Sequence, residues 1–457
     1  MKAAGRRGDF MVQDLTVGKP LKVIFFYTIP IVLGLWLQQI YSMVDTAIVG
    51  RTLGAMALGG VGSTSSLNFF ILGFCNGLCA GMALPVAQYF GAGKHAKLRH
   101  CITNSVWLAV IVSAVILAVF LPLCRSILTV MKTPEEQFDY AFVYIFIIIA
   151  GTPATIAYNL SASFLRALGD SRTPLVFLAV ASVVNIGLDL FLIIVFGLGA
   201  AGAALATVIS QASAGLLCTV YMGRHYPILR MEEGDWSFQG AVVSRLLSMG
   251  VPMGLQYSIT AIGSIIMQSA VNSLGAVYVS ATSTAHKINQ LMISGNDGIG
   301  YAASTFTGQN HGAHRYDRVA EGVKACLIIG LVYWVITFAF IRIAGPYVSL
   351  IFLSAEEAAS ISGLVFLHCS MNWGFGFLVL LVDVFRGDMQ GLSHSRLSMI
   401  SGVMELIARA LTGFLLVPVF GFAASCCANP IAWIFADLFL LPGFYMCLRS
   451  EIKQKSV

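Results

Sequence analysis

Residues 23–44 read VIFFYTIPIVLGLWLQQIYSMV, a run without a single charged side chain. A helix rises about 1.5 Å per residue, so about 20 apolar residues cross the ~30 Å hydrocarbon core of a bilayer. Polar and apolar residues do not alternate along the run, which favours a helix over a strand of a membrane barrel. Comparable uncharged runs cover residues 101–123 and 174–188, so the sequence predicts repeated transmembrane helices.

Composition extends this prediction to the whole chain. Hydrophobic residues make up 58% of the 457 residues and charged residues only 11%, against about 25% charged residues in an average soluble domain. We therefore predict an all-α membrane protein of twelve transmembrane helices in two six-helix bundles. The candidate spans are residues 23–45, 56–88, 101–123, 138–161, 174–196, 200–222, 246–271, 278–307, 325–344, 359–385, 398–419 and 422–447.

The distribution of basic residues predicts the orientation of these spans. If the N-terminus is cytoplasmic and twelve spans alternate, 21 of the 27 Lys and Arg residues fall on the cytoplasmic side and four fall outside. Such an asymmetry follows the positive-inside rule. We expect a multi-pass protein of the inner membrane with both termini in the cytoplasm. The net charge of +6 then reports topology and implies no nucleic-acid partner, and no cleavable signal peptide is expected before the first span.

The two halves of the chain also resemble each other in sequence. A shift of 221 residues pairs Gly54 with Gly275, and a shift of 224 pairs Arg172 with Arg396. Six spans per repeat is an even number, so both halves enter the membrane in the same direction, related by a pseudo-two-fold axis along its normal, with substrate between them. The predicted divisions are an N-terminal tail (1–22), a first lobe (23–222), a cytoplasmic linker (223–245), a second lobe (246–447) and a C-terminal tail (448–457).

Several enzyme and cofactor signatures are missing from the sequence. It contains no GxxxxGK[ST] phosphate-binding loop and no HExxH motif, and its ten cysteines include no CxxC pair. We therefore expect neither an enzyme nor a zinc or disulfide framework, and no cofactor other than a coupling ion. Without ATP hydrolysis, transport is expected to use an ion gradient or to run downhill.

Polar side chains at membrane depth mark one end of the first span. Gln38, Tyr41 and Asp45 follow one another at i, i+3 and i+7, so they share one helix face. An ionisable group inside a span is a candidate functional residue because its burial is costly. The alternatives are that Asp45 caps the span next to Arg51, and that Gln38 and Tyr41 are ordinary packing groups.

A second carboxyl group lies deep in the fifth span. Asp189 follows Asn185 by four residues, and Thr207 on the next span is expected to face this pair. Two carboxylates with amide and hydroxyl neighbours suit either a transported proton or a Na⁺ ion bound through oxygen ligands. The alternatives are a structural hydrogen bond for Asp189 and a bond from Thr207 back to its own helix.

The second half does not repeat these acids. The 221-residue shift places Asp45 on Ile266, and the 224-residue shift places Asp189 on Gly413. The coupling site is therefore expected in the first half only.

The second half carries charges of its own. Glu405 and Arg409 are four residues apart and are expected to form an ion pair. Asp383 and Arg386 lie near the cytoplasmic end of a span, where we expect them at the membrane interface.

The order of these motifs resembles the multidrug and toxic compound extrusion (MATE) family over nearly the whole chain. The motifs that carry the resemblance are Pro30, the stretches DTAIVG (45–50), QYFGAG (88–93), LRALGDSRTP (165–174) and NIGLDL (185–190), and the Gly199–Ala204 segment.

The resemblance implies a V-shaped, two-lobed monomer that exchanges H⁺ or Na⁺ for small organic, often cationic compounds by alternating access. It implies that the residues matching the first-lobe cation site, which is also the candidate Na⁺ site, are Asp45, Asn185, Asp189 and Thr207, with Tyr144 beside them. Gln38 and Tyr41 match residues that line the substrate cavity, and Pro30 matches the kink-forming proline.

The sequence departs from one subgroup of the family. That subgroup places a Na⁺ site in its second lobe and has an acid in span seven, whereas residues 252–258 read PMGLQYS. A second-lobe Na⁺ site is therefore not expected. Three other functions remain open: a flippase for lipid-linked saccharides, which needs a cationic cavity, a membrane-embedded transferase, which needs an acidic or His-Asp motif absent here, and a ligand sensor.

Overall fold

The computed structural model describes residues 13–348 and 355–455, and no strand occurs in these two ranges. The helices are α1 (Pro20–Ser63), α2 (Ser65–Gly91), α3 (His95–Val130), α4 (Glu135–Ala150), α5 (Thr152–Ala167), α6 (Arg172–Leu190), α7 (Gly199–His225), α8 (Gly240–Asn272), α9 (Ala276–Gly312), α10 (Tyr316–Val348), α11 (Ala355–Gly374), α12 (Gly376–Gly391), α13 (Ser395–Leu411), α14 (Val417–Phe420) and α15 (Phe422–Lys455).

Most of these helices are apolar enough to cross a membrane. In the described ranges, nine are long and apolar enough to span, or up to eleven if each of two bent pairs is one span. The bends separate α4 from α5 by 49° and α11 from α12 by 48°. Helix α9 coincides with the predicted span 278–307 but is more polar than these helices. The prediction of an all-α multi-pass membrane protein is confirmed.

The internal repeat is visible in the backbone. Gly54 interrupts α1 at φ 82°, and Gly275, 221 positions later, precedes α9 at φ 109°. The bends at Gly151 and Phe375 are 224 positions apart. Further matched pairs are the left-handed turns at Gly93 and His314, Gly169 and Ser393, and Gly197 and Gly421, and the π-helical turns Phe191–Val195 and Thr412–Leu416.

The chain divides into two compact units. The first contains residues 29–254 and the segment up to Val17, and the second contains residues 255–455 and the segment 18–28. The predicted lobe limits remain a prediction, and this grouping differs from them in two segments: residues 18–28 lie with the second unit, and residues 223–254 lie with the first. Each unit has its own apolar core, around Leu78, Met82 and Phe164 in the first and around Ile341 and Trp373 in the second.

Close packing and ion pairs explain why residues 223–254 belong to the first unit. A Cβ atom added to Gly81 on α2 would lie 2.6 Å from Cα of Gly250 on α8, so the two backbones pack directly against each other. The linker before α8 is tied to α3 because Nε of Arg99 lies 2.7 Å from Oδ2 of Asp235.

The start of α1 belongs to the second unit. Nη1 of Arg318 donates a hydrogen bond of 2.7 Å to the carbonyl oxygen of Gly18. Helix α1 therefore changes units between Thr28 and Ile29. Pro30, the candidate hinge, is buried one residue further on, inside the same helix.

Candidate cation site

A group of polar side chains meets inside the first unit. Asp189 is fully buried in the last turn of α6, directly before the π-helical turn Phe191–Val195. Such turns occur frequently at functional sites because they displace one residue from the regular helical ladder. Asn185, one helical turn earlier, is 2% exposed, and neither atom of its side-chain amide has a hydrogen-bond partner in the described ranges.

The carboxyl group of Asp45 on α1 faces that of Asp189 within hydrogen-bonding reach. Such a bond needs a proton, because two ionised carboxylates have no donor between them. Without that proton, Oδ1 of Asp45 and both carboxylate oxygens of Asp189 are buried and lack a partner among the residues that the structure describes. Asp45 is therefore half-buried inside the unit instead of capping the span beside Arg51.

Two tyrosines border the carboxyl pair. Tyr144 on α4 is 7% exposed, and its hydroxyl is close enough to both acids to interact electrostatically. Tyr41, one turn before Asp45, lies near the same acids and beside the side chain of Gln211 on α7. Four helices of one unit, α1, α4, α6 and α7, thus contribute to this site.

The electrostatics of the pair favour a positive occupant. The principal groups that act on each carboxyl are the other carboxyl and the apolar surroundings, with no Lys or Arg among them. Burying two negative charges without a counter-charge costs several kcal/mol per ion. A bound proton removes one charge, and a hard cation such as Na⁺ would bind to the oxygen atoms of Asp45, Asn185 and Asp189.

Two of the predicted site residues, Thr207 and Gln38, form no hydrogen bond with the carboxyl pair in the described ranges. Thr207 is half-buried on α7, and none of the described hydrogen bonds connects it to either acid. Gln38 is exposed, so it lies outside the buried group. Gln211 was missed by the sequence analysis, although it follows Thr207 by four residues and therefore shares its helix face.

Metal-binding side chains around the carboxyl pair are few in the described part of the chain. No group of three or more His, Cys, Asp or Glu side chains that could hold a metal ion occurs in residues 13–348 and 355–455. The candidate Na⁺ ligands comprise only two carboxylates, with an amide and a hydroxyl completing the set.

A second group of charges is buried in the second unit. The expected pair is present, with Nη2 of Arg409 3.0 Å from Oε2 of Glu405. Arg386 binds the other oxygen of Glu405 and lies 3.9 Å from Asp383. The side chains of Asp383 and Arg386 are only 11% and 14% exposed, so both are buried inside the unit, and their expected depth at the membrane interface stays a prediction. We call Asp297, Asp383, Arg386, Glu405, Arg409 and Asp437 the Arg386 cluster.

Comparison with known families identifies the chain. The MatE family model matches residues 30–191 and 252–415, one segment in each half of the repeat and together well over half of the chain. This chain belongs to the MATE family. The first MATE segment includes Asp45, Tyr144 and all of α6 with Asn185 and Asp189, and the second includes all of the Arg386 cluster except Asp437.

Named MATE relatives cover most of the chain. The probable multidrug resistance protein YpnP of Bacillus subtilis is 30% identical over 351 residues, which cover 76% of this chain and 78% of that protein. The probable multidrug resistance protein NorM of Thermotoga maritima is 25% identical over 393 residues, covering 84% and 83%. Both matches include the two halves, so the family assignment concerns the whole scaffold.

Solved MATE structures share the fold. An outward-facing multidrug resistance MATE family transporter of the MOP superfamily matches with a TM-score of 0.90 at 21% identity, over 97% of this chain and 99% of that one. A MATE protein crystallised with MaL6 matches with a TM-score of 0.89 at 23% identity, over 96% and 99%. At this level of identity the likeness concerns the fold.

Proposed function

We propose that this MATE protein is a secondary antiporter that exports small organic, often cationic compounds in exchange for H⁺ or Na⁺. The observation that carries the proposal is the pair of Asp45 and Asp189 inside the first unit, which has no basic counter-charge among the described residues. Two relatives described as probable multidrug resistance proteins support the export of drugs. We assign no enzymatic activity and no cofactor beyond the coupling ion.

Coupling follows from competition between the cation and the substrate. Entry of a cation neutralises the Asp45 and Asp189 pair and removes the electrostatic attraction for an organic cation nearby. Gln38 and Tyr41, on the same face of α1, are the proposed substrate contacts. Transport is driven because cation and substrate have different affinities for the two conformations.

Pro30 is the proposed hinge of this cycle. The proline ring removes one backbone hydrogen bond of α1, so bending there costs less than elsewhere in the helix. The helix leaves the second unit at Thr28, two residues before Pro30. A bend at Pro30 would displace Tyr41 and Asp45 relative to α6, which couples cation binding to the shape of the substrate pocket.

The proposed setting is the cytoplasmic membrane. The 21-to-4 asymmetry of basic residues supports cytoplasmic termini and a cytoplasmic linker. Small organic substrates and the bilayer are the proposed partners, with a monomer as the functional unit and no nucleic acid. The flippase alternative is not favoured, because a pyrophosphate group needs cationic side chains, and the Asp45 and Asp189 pair is acidic.

The test is transport by purified protein in liposomes. Uptake of a lipophilic organic cation, tetraphenylphosphonium, is measured under an imposed pH gradient and, separately, under an imposed Na⁺ gradient. We expect one gradient to drive accumulation and Asp189→Asn to reduce it to the level of empty liposomes. Asp139→Asn, which changes an exposed acid in the same unit, is the matched control. Gradient-driven uptake that is undiminished in Asp189→Asn contradicts the proposal.

A further inference from the structure

The Arg386 cluster lies within a single unit and contains more acids than bases. Its carboxyl groups come from four helices: α9 (Asp297), α12 (Asp383), α13 (Glu405) and α15 (Asp437). Its basic groups are the two guanidinium groups of Arg386 and Arg409, and both bind Glu405. The cluster therefore contains four carboxyl groups and only two guanidinium groups, and the shortest contacts of both guanidinium groups are with Glu405.

Asp437 has no hydrogen-bond partner in this cluster. Its side chain is 4% exposed, and neither carboxylate oxygen has a partner in the described part of the chain. The charged groups that act on it are Arg386, which attracts its negative charge, and Glu405 and Asp383, which repel it. A buried carboxylate that accepts no hydrogen bond is costly, whereas a protonated carboxyl carries no charge.

Asp383 is the neighbouring acid. Its Oδ1 atom lies 3.9 Å from Nη1 of Arg386, and its Oδ2 atom has no partner in the ranges that the structure describes. The hydroxyl groups of Tyr257 and Tyr301 are 2.7 Å apart, and Tyr257 interacts with Asp383. Asp437 thus interacts with Asp383, whose Oδ2 can accept a proton, and Asp383 interacts in turn with a pair of hydroxyl groups that can relay one.

We propose that the second unit contains its own proton-binding site, with Asp437 as the proton carrier and Asp383 as its exchange partner. The step is the reversible loss of one proton from the carboxyl of Asp437 to Oδ2 of Asp383 or to water, which leaves a carboxylate on Asp437. This site is separate from the Asp45 and Asp189 pair. Its use in transport rests on the proposed antiport function, but its existence does not.

A proton suits this position better than Na⁺. The guanidinium of Arg386 acts directly on Asp437 and Asp383 and repels a metal cation that needs several oxygen ligands. A proton needs only one carboxyl oxygen. Among the described residues, no such basic neighbour acts on the first-unit pair, so the two units differ in which cations they accommodate.

The test uses infrared difference spectra of the full-length protein between acidic and alkaline buffer at constant Na⁺. A protonated carboxyl group contributes a C=O stretching band, and we expect Asp437→Asn to lose one such band. Asp317→Asn, which changes a 69% exposed acid of the same unit, should keep the wild-type spectrum. If Asp437→Asn is not monodisperse in detergent, Asp437→Glu is used instead and should shift the band without removing it.

Two results overturn the inference. One is a spectrum of folded Asp437→Asn that superimposes on the wild-type spectrum. The other is a carboxyl band that responds to Na⁺ at fixed pH, which assigns the site to a metal cation. If the band is lost as expected but no gradient drives transport in liposomes, the proton site stands and the antiport proposal fails.

Discussion

The Arg99 side chain on α3 binds Asp235 of the linker, with Nε 2.7 Å from Oδ2, and both side chains are more than nine-tenths buried. Nη2 of Arg99 also lies 2.7 Å from Oε2 of Glu232. The linker is therefore held against the first unit by a buried, charge-assisted contact. Such contacts are shorter and stronger than hydrogen bonds between neutral groups.

Removal of Arg99 is expected to detach the linker. Arg99→Ala leaves Asp235 as a buried charge without its partner, which typically costs about 3–5 kcal/mol. We expect limited proteolysis to cleave the linker much faster in Arg99→Ala than in wild type. Arg230→Ala, an exposed arginine in the same linker, should leave the cleavage rate unchanged. Equal cleavage rates in the two variants would show that the contact does not hold the linker.

Acid is expected to release the same contact. Burial alone would raise the pKa of Asp235, but the backbone N–H of Glu232, the Arg99 guanidinium and His100 together lower it below its usual value. Because the pKa of Asp235 is lower in the folded protein than in the unfolded chain, its ionised carboxylate stabilises the contact at pH values above the unfolded pKa. This stabilisation is lost as the pH falls through the folded pKa.

Tryptophan fluorescence can follow this release. We expect the linker to remain docked down to about pH 4 and to detach below it. Trp236 lies in the linker and is 52% exposed. Its own fluorescence is the difference between the emission of wild type and that of Trp236→Phe, and a change in this difference reports detachment. Asp235→Asn should abolish the acid transition, and an unchanged transition in that variant would assign it to another group.

Neutralising one acid of the first-unit pair is expected to stabilise the protein at alkaline pH. There both Asp45 and Asp189 are ionised and repel each other, and two like charges ~4 Å apart repel by about 1 kcal/mol in bulk water and about 4 kcal/mol at an effective dielectric constant near 20. Asp189→Asn removes this repulsion, so its Tm should exceed that of wild type in alkaline buffer. The difference should shrink as acid adds a proton to the wild-type pair.

Added salt distinguishes Na⁺ from H⁺ as the ion that binds the pair, in the same melting experiment. If Na⁺ binds the pair, NaCl should raise the wild-type Tm more than an equal concentration of choline chloride and should not do so in Asp189→Asn. Asp139→Asn is again the control and should follow wild type. If the wild-type Tm is lower in alkaline than in neutral buffer and NaCl does not raise it, the ion that binds the pair is a proton.

The close approach of α2 and α8 is expected to tolerate no side chain. Gly81→Ala places a methyl group 2.6 Å from Cα of Gly250, and such overpacking typically costs about 1–3 kcal/mol. Gly62→Ala on α1, where a Cβ atom meets nothing within 4 Å, should be neutral or slightly stabilising. A Gly81→Ala variant with wild-type Tm would show that the helices can move apart at little cost.

Sequence patterns predict what depends on distance along one helix. Glu405 and Arg409 are four residues apart, so their ion pair could be predicted, and Asp45 and Asp189 are conspicuous because charges are rare in apolar spans. The contact between Arg386 and Glu405 crosses from α12 to α13, and no spacing rule reaches across that turn. Asp437 has no hydrogen-bond partner in the described ranges although it lies among residues of three other helices, and no spacing along one helix predicts this.

The paired interruptions of the helices have a consequence for the origin of the chain. Six breaks that recur 221 or 224 residues later are the pattern that duplication of a gene for one half would leave in the protein. The matched turns at Gly169 and Ser393 keep the same left-handed backbone although the residue has changed. The 221-residue shift that matches the π-helical turns places Asp45 on Ile266 and Asp189 on Ala410, so the copies have kept their backbone geometry while their ionisable groups diverged.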